Sequence, residues 1–282
     1  MKQIKEIAAK ALFTFAACVS IVAVAVICVF LIANGIPGMA KIGVWDFLSG
    51  TKWKPGNDIY GVFPMILGSA YVTAGALVIG VPAGLLTAVF LSRFASNRMV
   101  KLMKPMVSLM AGIPSVVFGF FGLVVLVPLV RELFGGSGSS LLTAAVLLGM
   151  MILPTIVTVC ESALNAVPDS YYEGALALGA THERAVFSVV LPAAKSGVTA
   201  GVILGIGRAI GEAMAVNMVA GNHAVIPKSL TRGVRTLTSN IVLELGYAAD
   251  LHREALIATA VVLFVFILAI NLLFSLLKRR QG

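Results

Sequence analysis

Ala11 to Ala33, ALFTFAACVSIVAVAVICVFLIA, is a run of 23 residues with neither a charge nor a proline. At a helical rise of 1.5 Å per residue it reaches about 35 Å, enough to cross a hydrocarbon layer about 30 Å thick. Lys2, Lys5 and Lys10 precede it in the manner of a secretory signal. The run exceeds the roughly 7–15 residues of a signal core, however, and is expected to stay as a first membrane helix. Blocks of the same kind recur near 62–91, 105–130, 140–164, 196–221 and 255–277. The 282 residues are 59% hydrophobic and 12% charged, with a mean hydropathy of +1.02, against about 45–50% apolar and 25% charged in soluble domains. The composition therefore specifies an all-α integral membrane protein of about six transmembrane helices, with the lipid bilayer as its solvent.

Two regions are expected: 1–61, a first helix followed by an outer-surface segment, and 62–277, a transmembrane core with a long loop near 165–195. A cytoplasmic N-terminus would put Lys2, Lys5, Lys10, Arg93, Arg98, Lys101, Lys104, Arg184, Lys195, Lys278, Arg279 and Arg280 inside. Lys41, Lys52, Lys54, Arg131, Lys228, Arg232, Arg235 and Arg253 would lie outside, spread mostly through longer loops. The excess of basic residues in the short inner segments places both termini in the cytoplasm. The net charge of +9 thus reads as an orientation signal and not as a nucleic-acid surface. Cys18, Cys28 and Cys160 lie inside apolar blocks with no CxxC spacing, so no disulfide framework, metal site or cofactor is indicated. In the outer segment Trp45, Trp53 and Pro55 are expected to lie along the membrane surface, with the aromatic rings as anchors.

The loop near 165–195 has room for two short helices. Ser170-Tyr171-Tyr172-Glu173 has the S-x-x-E form of a capping box, and Gly179 supplies a stop. A second helix is expected from Thr181 toward Leu191-Pro192. Order of this kind suggests a docking element; a helix resting on the bilayer surface is the plainer alternative.

Arg208 is the remaining basic residue and falls on neither side of the membrane. It lies 12 residues into the fifth block, near mid-bilayer, and Glu212 follows one turn later. On a continuous helix Gly197, Gly201, Gly205, Arg208 and Glu212 would share an arc of roughly 80°, with Val202, Ile203, Ile206 and Ile210 opposite. Small residues at four-residue spacing let another helix approach closely, so the glycine face is expected to point into protein or a water-filled path and the isoleucine face into lipid. An ionisable residue at this depth costs several kcal/mol and usually marks a substrate path; alternatively the pair neutralises itself at i,i+4 and braces the bundle. Arginine suits a tetrahedral oxyanion because its fork donates paired hydrogen bonds and keeps its charge.

The sequence also excludes classes. It contains no G-x-x-x-x-G-K-[ST] and no Gly-Lys dipeptide, so it has no P-loop of its own, and HExxH and GxSxG are missing. Gly205-Ile206-Gly207 follows no strand and lacks the third glycine of a dinucleotide loop. A proton-coupled secondary anion transporter, with Glu212 carrying the proton, stays open on these grounds.

Glu173-Gly174-Ala175-Leu176-Ala177-Leu178-Gly179, followed by Val189-Val190-Leu191-Pro192, resembles the cytoplasmic EAA motif of ABC-importer permeases. Gly174 and Val189 depart mildly from it. Phe47 to Pro55, Ala111-Gly112-Ile113-Pro114-Ser115, Gly207 to Val216 and Ala220-Gly221-Asn222 are similar to the phosphate branch of that family, and within it to PstC-type more than PstA-type subunits. The resemblance implies the type I permease architecture in a bacterial inner membrane, with no catalytic residues in the chain itself. It assigns Glu173 and Gly179 to a coupling loop seated on an ATPase, with Ala175, Leu191 and Pro192 in the same motif, while the substrate-path reading of Arg208 and Glu212 rests on their depth and chemistry. The partners it implies are a second, PstA-type permease, a pair of PstB-type ATPase subunits and an external PstS-type phosphate-binding protein. Molybdate and sulfate permeases share the loop, so another oxyanion remains an alternative.

Overall fold

The protein is described by a computed structural model covering residues 2–279. Arg280, counted above among the inner charges, lies outside the described residues, as do the side chains of Lys2, Lys5, Lys278 and Arg279. The chain is helical almost throughout: α1 (Lys2–Ile42), α2 (Val44–Ser49), α3 (Phe63–Val89), α4 (Asn97–Gly112), α5 (Ser115–Phe121), α6 (Val127–Phe134), α7 (Leu141–Asn165), α8 (Asp169–Ala177), α9 (His182–Ala185), α10 (Leu191–Ala193), α11 (Lys195–Gly211), α12 (Met214–Val219), α13 (Leu237–Glu244) and α14 (Asp250–Arg279). A single hairpin, β1 (Trp53–Lys54) with β2 (Ile59–Tyr60), pairs Trp53 with Tyr60. Among the described residues five stretches are long and apolar enough to cross a membrane: Ala9–Ile42, Phe63–Phe94, Ser115–Phe134, Leu141–Asn165 and Asp250–Leu273. A sixth forms if His182–Ala193 and Lys195–Gly211, bent by 72°, count as one span.

Two spans differ from the sequence expectation. The third begins at Ser115 and not near 105, because Ile113, forced out of the helical region by Pro114, is extended (φ −69°, ψ 126°). The residues before it form the separate helix α4, which the Ser96 hydroxyl caps by accepting from Met99 N–H. The fifth does not run to 221. It stops at Gly211, and Glu212 is extended (φ −73°, ψ 121°) before α12 resumes at Met214. Gly205, Gly207 and Gly211 each cost a helix about 1 kcal/mol relative to alanine, which weakens this last turn.

α7 is the central post, packed on α3, α4, α11 and α12. Lipid is as apolar as leucine, so close van der Waals fit must hold such helices together. Small residues provide it on α3: a β-carbon at Gly75 would sit 2.8 Å from Ala145 and one at Gly84 2.8 Å from Ile156. α1 stands at the periphery, with no residue of its most apolar stretch buried. It meets α14, where Gly35 and Gly38 face Val261 and Glu254 and Lys41 pairs with Glu254 at 2.6 Å.

At the hairpin end a second core gathers Phe47, Trp53, Tyr60, Val62, Leu237 and Leu256. Trp53 is therefore not a membrane-surface anchor. It is buried, and its Nε1 donates to Glu244 Oε2 at 2.8 Å, whereas Trp45 remains 78% exposed. Glu244, itself buried, also receives Arg235 Nη1 at 2.6 Å and lies 2.8 Å from His252 Nε2. A buried carboxylate needs such donors, and the indole N–H needs such an acceptor, which is why the outer segment folds inward.

Candidate functional site

The glycine stripe of α11 lies directly on α7. A β-carbon at Gly197 would collide with Ala163, one at Gly201 would come 2.9 Å from Cys160 Sγ, and one at Gly205 2.9 Å from Ile156. The stripe thus buries itself within the chain. The opposite face is not a lipid face, since Ile206 and Ile210 are buried while Leu204, between the two faces, is 54% exposed. α11 also packs on α3 and α14, and a helix enclosed from several sides is apolar nearly all round, which defeats a two-faced reading. Gly207 and Gly211 have open space where a side chain would be.

One turn beyond Gly205, half-buried Arg208 extends over α7 and donates from Nη1 to Thr155 Oγ1 at 3.3 Å. Thr155 is at the middle of the 25-residue helix α7, so the guanidinium is near the middle of the span. Arg208 and Glu212 form no ion pair: the helix ends between them, and the carboxylate turns the other way to accept from Ala215 N–H at 3.1 Å. It thereby satisfies one of the orphan donors that open α12. The Glu212 carbonyl accepts from Thr238 Oγ1 at 3.0 Å. Beside it Ser69, Thr73, Thr236 and Thr238 line a small cavity of about 10 Å³, at the lower limit for one water. Arg208 is left with guanidinium donors uncommitted among the described residues.

At the other end of α7, α8 to α10 form a compact unit. α8 starts at Asp169 with Pro168 before it, so Ser170 lies inside the first turn and the expected Ser170–Glu173 capping box is not made. The helix stop is as expected: Gly179 adopts φ +84°, Gly179 N–H donates to Leu176 O at 2.9 Å and Ala180 N–H to Ala175 O at 3.1 Å. These two bonds make a Schellman motif, which needs a left-handed residue and therefore favours glycine. Thr181 caps α9 through Arg184 N–H. The unit is held to α7 and to the turn that follows α3 by Arg93, which donates to Leu164 O at 2.9 Å and reaches Asp169 at 3.4 Å, and by the Phe94 ring 4.6 Å from that of His182. His182 Nδ1 in turn lies 2.8 Å from Tyr172 Oη. Of the expected loop residues, Ala175 is buried and Leu191 half-buried against the core, while Glu173, Gly179 and Pro192 are exposed. Leu178 projects beyond them, 92% exposed. Exposed Glu183 has its carboxyl held below the usual range, first by a hydrogen bond to its own backbone N–H and then by Thr181.

Sequence reasoning passed over Thr155 and the buried carboxylate Glu161, which pairs with Lys104 of α4 at 2.7 Å and accepts from Asn165 at 3.4 Å. Glu161 was accessible to the rule that singled out Arg208, an ionisable residue inside an apolar span. Nothing local marks Thr155 as Arg208's neighbour, because the contact joins residues 53 positions apart.

The family described as "Binding-protein-dependent transport system inner membrane component" matches residues 80–282. A probable ABC transporter permease protein, YqgH, from Bacillus subtilis is 38% identical over 97% of this chain and 92% of its own. The phosphate transport system permease proteins PstC of Pasteurella multocida and Haemophilus influenzae are 32% and 33% identical, covering 90% and 84% of this chain and 89% and 84% of theirs. Among solved structures, the MetNI methionine ABC transporter in an inward-facing form superimposes with a TM-score of 0.59 at 22% identity, over 79% of this chain and 94% of that one.

Proposed function

Since the chain belongs to the binding-protein-dependent transport inner membrane component family, a family of multi-pass ABC permeases, we infer that it is the permease subunit of an ATP-driven phosphate importer. The observation that supports phosphate most directly is the kinship, over most of both chains, with proteins named as phosphate permeases. Arg208 agrees with it: a guanidinium held at mid-span by one hydroxyl, with donors to spare, suits a passing oxyanion. Glu212 accepts hydrogen bonds and donates none when ionised, so its vicinity tolerates an anion that retains a proton better than fully deprotonated sulfate.

In this reading the α8 end and both termini are cytoplasmic, and the hairpin end faces an external PstS-type phosphate-binding protein. A PstA-type permease completes the pathway. Two PstB-type ATPase subunits take α8, with Glu173, Ala175 and Gly179 at the contact and Leu191 and Pro192 supporting it. ATP binding and hydrolysis in those chains rock the helices and expose Arg208 to each side in turn. No chemistry on the substrate falls to this chain.

Radiolabelled phosphate uptake in cells lacking the chain, with and without its restoration, tests the reading, with molybdate and sulfate as competitors. Restored phosphate uptake that excess molybdate and sulfate leave intact is the expected result. Restoration of another oxyanion's uptake alone, or uptake that collapses with a proton uncoupler while ATP is maintained, would overturn it. Arg208→Lys keeps the charge and loses the fork, and should lower turnover by tenfold or more in a complex that still assembles.

A further inference from the structure

α7 changes character at Thr155. Toward Leu141 the face that would continue Thr155 carries Ala144, Leu148 and Met151, all buried. Toward Asn165 the same face carries Thr155, Thr158, Ser162 and Asn165, which at 100° per residue fall within about 80° of one another. Thr155 is half-buried and the other three are exposed. The polar run descends about 15 Å, from the level of Arg208 to the α8 end of the helix. It lies in a groove between two neighbours. On one side is α11, with Arg208 on Thr155 and Gly201 against Val159 and Cys160; on the other is α4, with Lys104 on Glu161.

Resting on the phosphate reading above, we propose that Thr155, Thr158, Ser162 and Asn165 form the cytoplasmic half of the anion path, leading a partly hydrated oxyanion from Arg208 to the cytoplasm. The hydrogen bonds specify what this path offers. Thr158 Oγ1 donates to Pro154 O and Ser162 Oγ to Thr158 O, each at 2.8 Å. Their protons are thus turned into the helix and their lone pairs outward. Thr155 Oγ1 accepts from Arg208, so its own proton is free to donate. Asn165 Oδ1 accepts from Ser92 at 2.6 Å at the foot. Phosphate near neutral pH brings both acceptor oxygens and O–H donors, and this run answers both at several weak positions. Conduction requires such weak, repeated binding. Below Arg208 the α4 cation that meets α7, Lys104, is neutralised by Glu161, which weakens its hold on a passing anion.

The test uses the whole transporter in proteoliposomes. Thr158→Val with Ser162→Ala removes two hydroxyls from an exposed face. It should cut the maximal phosphate turnover at least tenfold while leaving assembly, and the concentration of loaded binding protein at half-saturation, unchanged. Thr158→Cys and Ser162→Cys, in a Cys160→Ala background, should react with a small anionic thiosulfonate added at the cytoplasmic face and be protected by phosphate. Wild-type turnover in the double variant, or cysteines that react with a lipid-soluble maleimide and not with the anionic reagent, would overturn the proposal. A wild-type complex that carries a different oxyanion sinks the phosphate reading instead, since reagent access to the groove is measured without reference to the anion.

Discussion

At the residue scale, Glu212 shows how a charge near another charge need not be its partner. Its carboxylate caps α12 through Ala215 N–H, and Arg208 is held by Thr155. Glu212→Gln keeps an acceptor for that N–H, so the assembled complex should melt close to the wild type. Glu212→Ala loses the cap and should cost about 0.5–2 kcal/mol. Were the carboxylate needed to neutralise Arg208, the two variants would be equally damaging in a thermal-shift measurement. Tyr60, in the hairpin-end core, makes a pH prediction. Burial first, then the hydrogen bond to Asp58 and the charges of Asp58 and Glu244, push its phenol up from 10.0 to about 12. Its neutral form is the one the fold favours. The stabilisation is therefore complete below pH 10.0 and is lost as the pH rises through about 12. Ultraviolet titration of the wild type against Tyr60→Phe should show one tyrosine ionising late and the hairpin-end core loosening with it.

At the element scale, Gly201→Leu tests the packing of α11 on α7. With a β-carbon there already 2.9 Å from Cys160 Sγ, the added side chain must displace a helix, at a cost of roughly 1–3 kcal/mol or more. The loss should appear in the isolated chain in detergent, before any partner is added. Leu204→Ala, on the exposed side, should change the melting temperature little. The sequence made the existence of the elements legible: uninterrupted apolar blocks gave six spans, Gly179 marked the end of α8, and Arg208 stood out by its depth. Boundaries and faces were harder. Pro114 moved the third span by ten residues at its start, from 105 to Ser115, although a proline in the block was visible. The break at Gly211-Glu212 was hidden because a side chain that caps a new helix reads the same as one continuing the old. The isoleucine face of α11 was misread because enclosure by α3 and α14 is a tertiary fact. Trp53 likewise looked like an interfacial anchor until Glu244, 191 positions away, supplied its acceptor.

At the scale of the whole molecule, the bundle presents exposed apolar side chains at the C-terminal end of α8. Leu178 is 92% exposed there, beside exposed Tyr171 and Leu176. A solvent-facing patch of this kind calls for a partner. Leu178→Asp should abolish co-purification of the ATPase subunits while leaving the melting temperature of the permease itself unchanged, because the side chain touches so little of its own chain. Glu173→Gln should leave the ATPase attached or weakly attached, yet lower ATP-driven uptake. Retained association and normal uptake in both variants would show that α8 is not the docking element.

The peripheral position of α1 has a consequence for how the protein is made. Its main protein contact is α14, which leaves the ribosome roughly two hundred residues later, an interval of roughly 10–40 s at 5–20 residues per second. Throughout that time α1 must stand alone in lipid. α7 could not do so as readily, because it carries Glu161, whose carboxylate pairs with Lys104 of α4. Ala11 to Ala33 carries nothing that needs such a partner, and its polar and glycine contacts to α14, at Gly35, Gly38 and Lys41, are confined to its far end. Of the described spans, the one made before the others is thus able to wait in lipid, and α14, made roughly two hundred residues later, docks onto it.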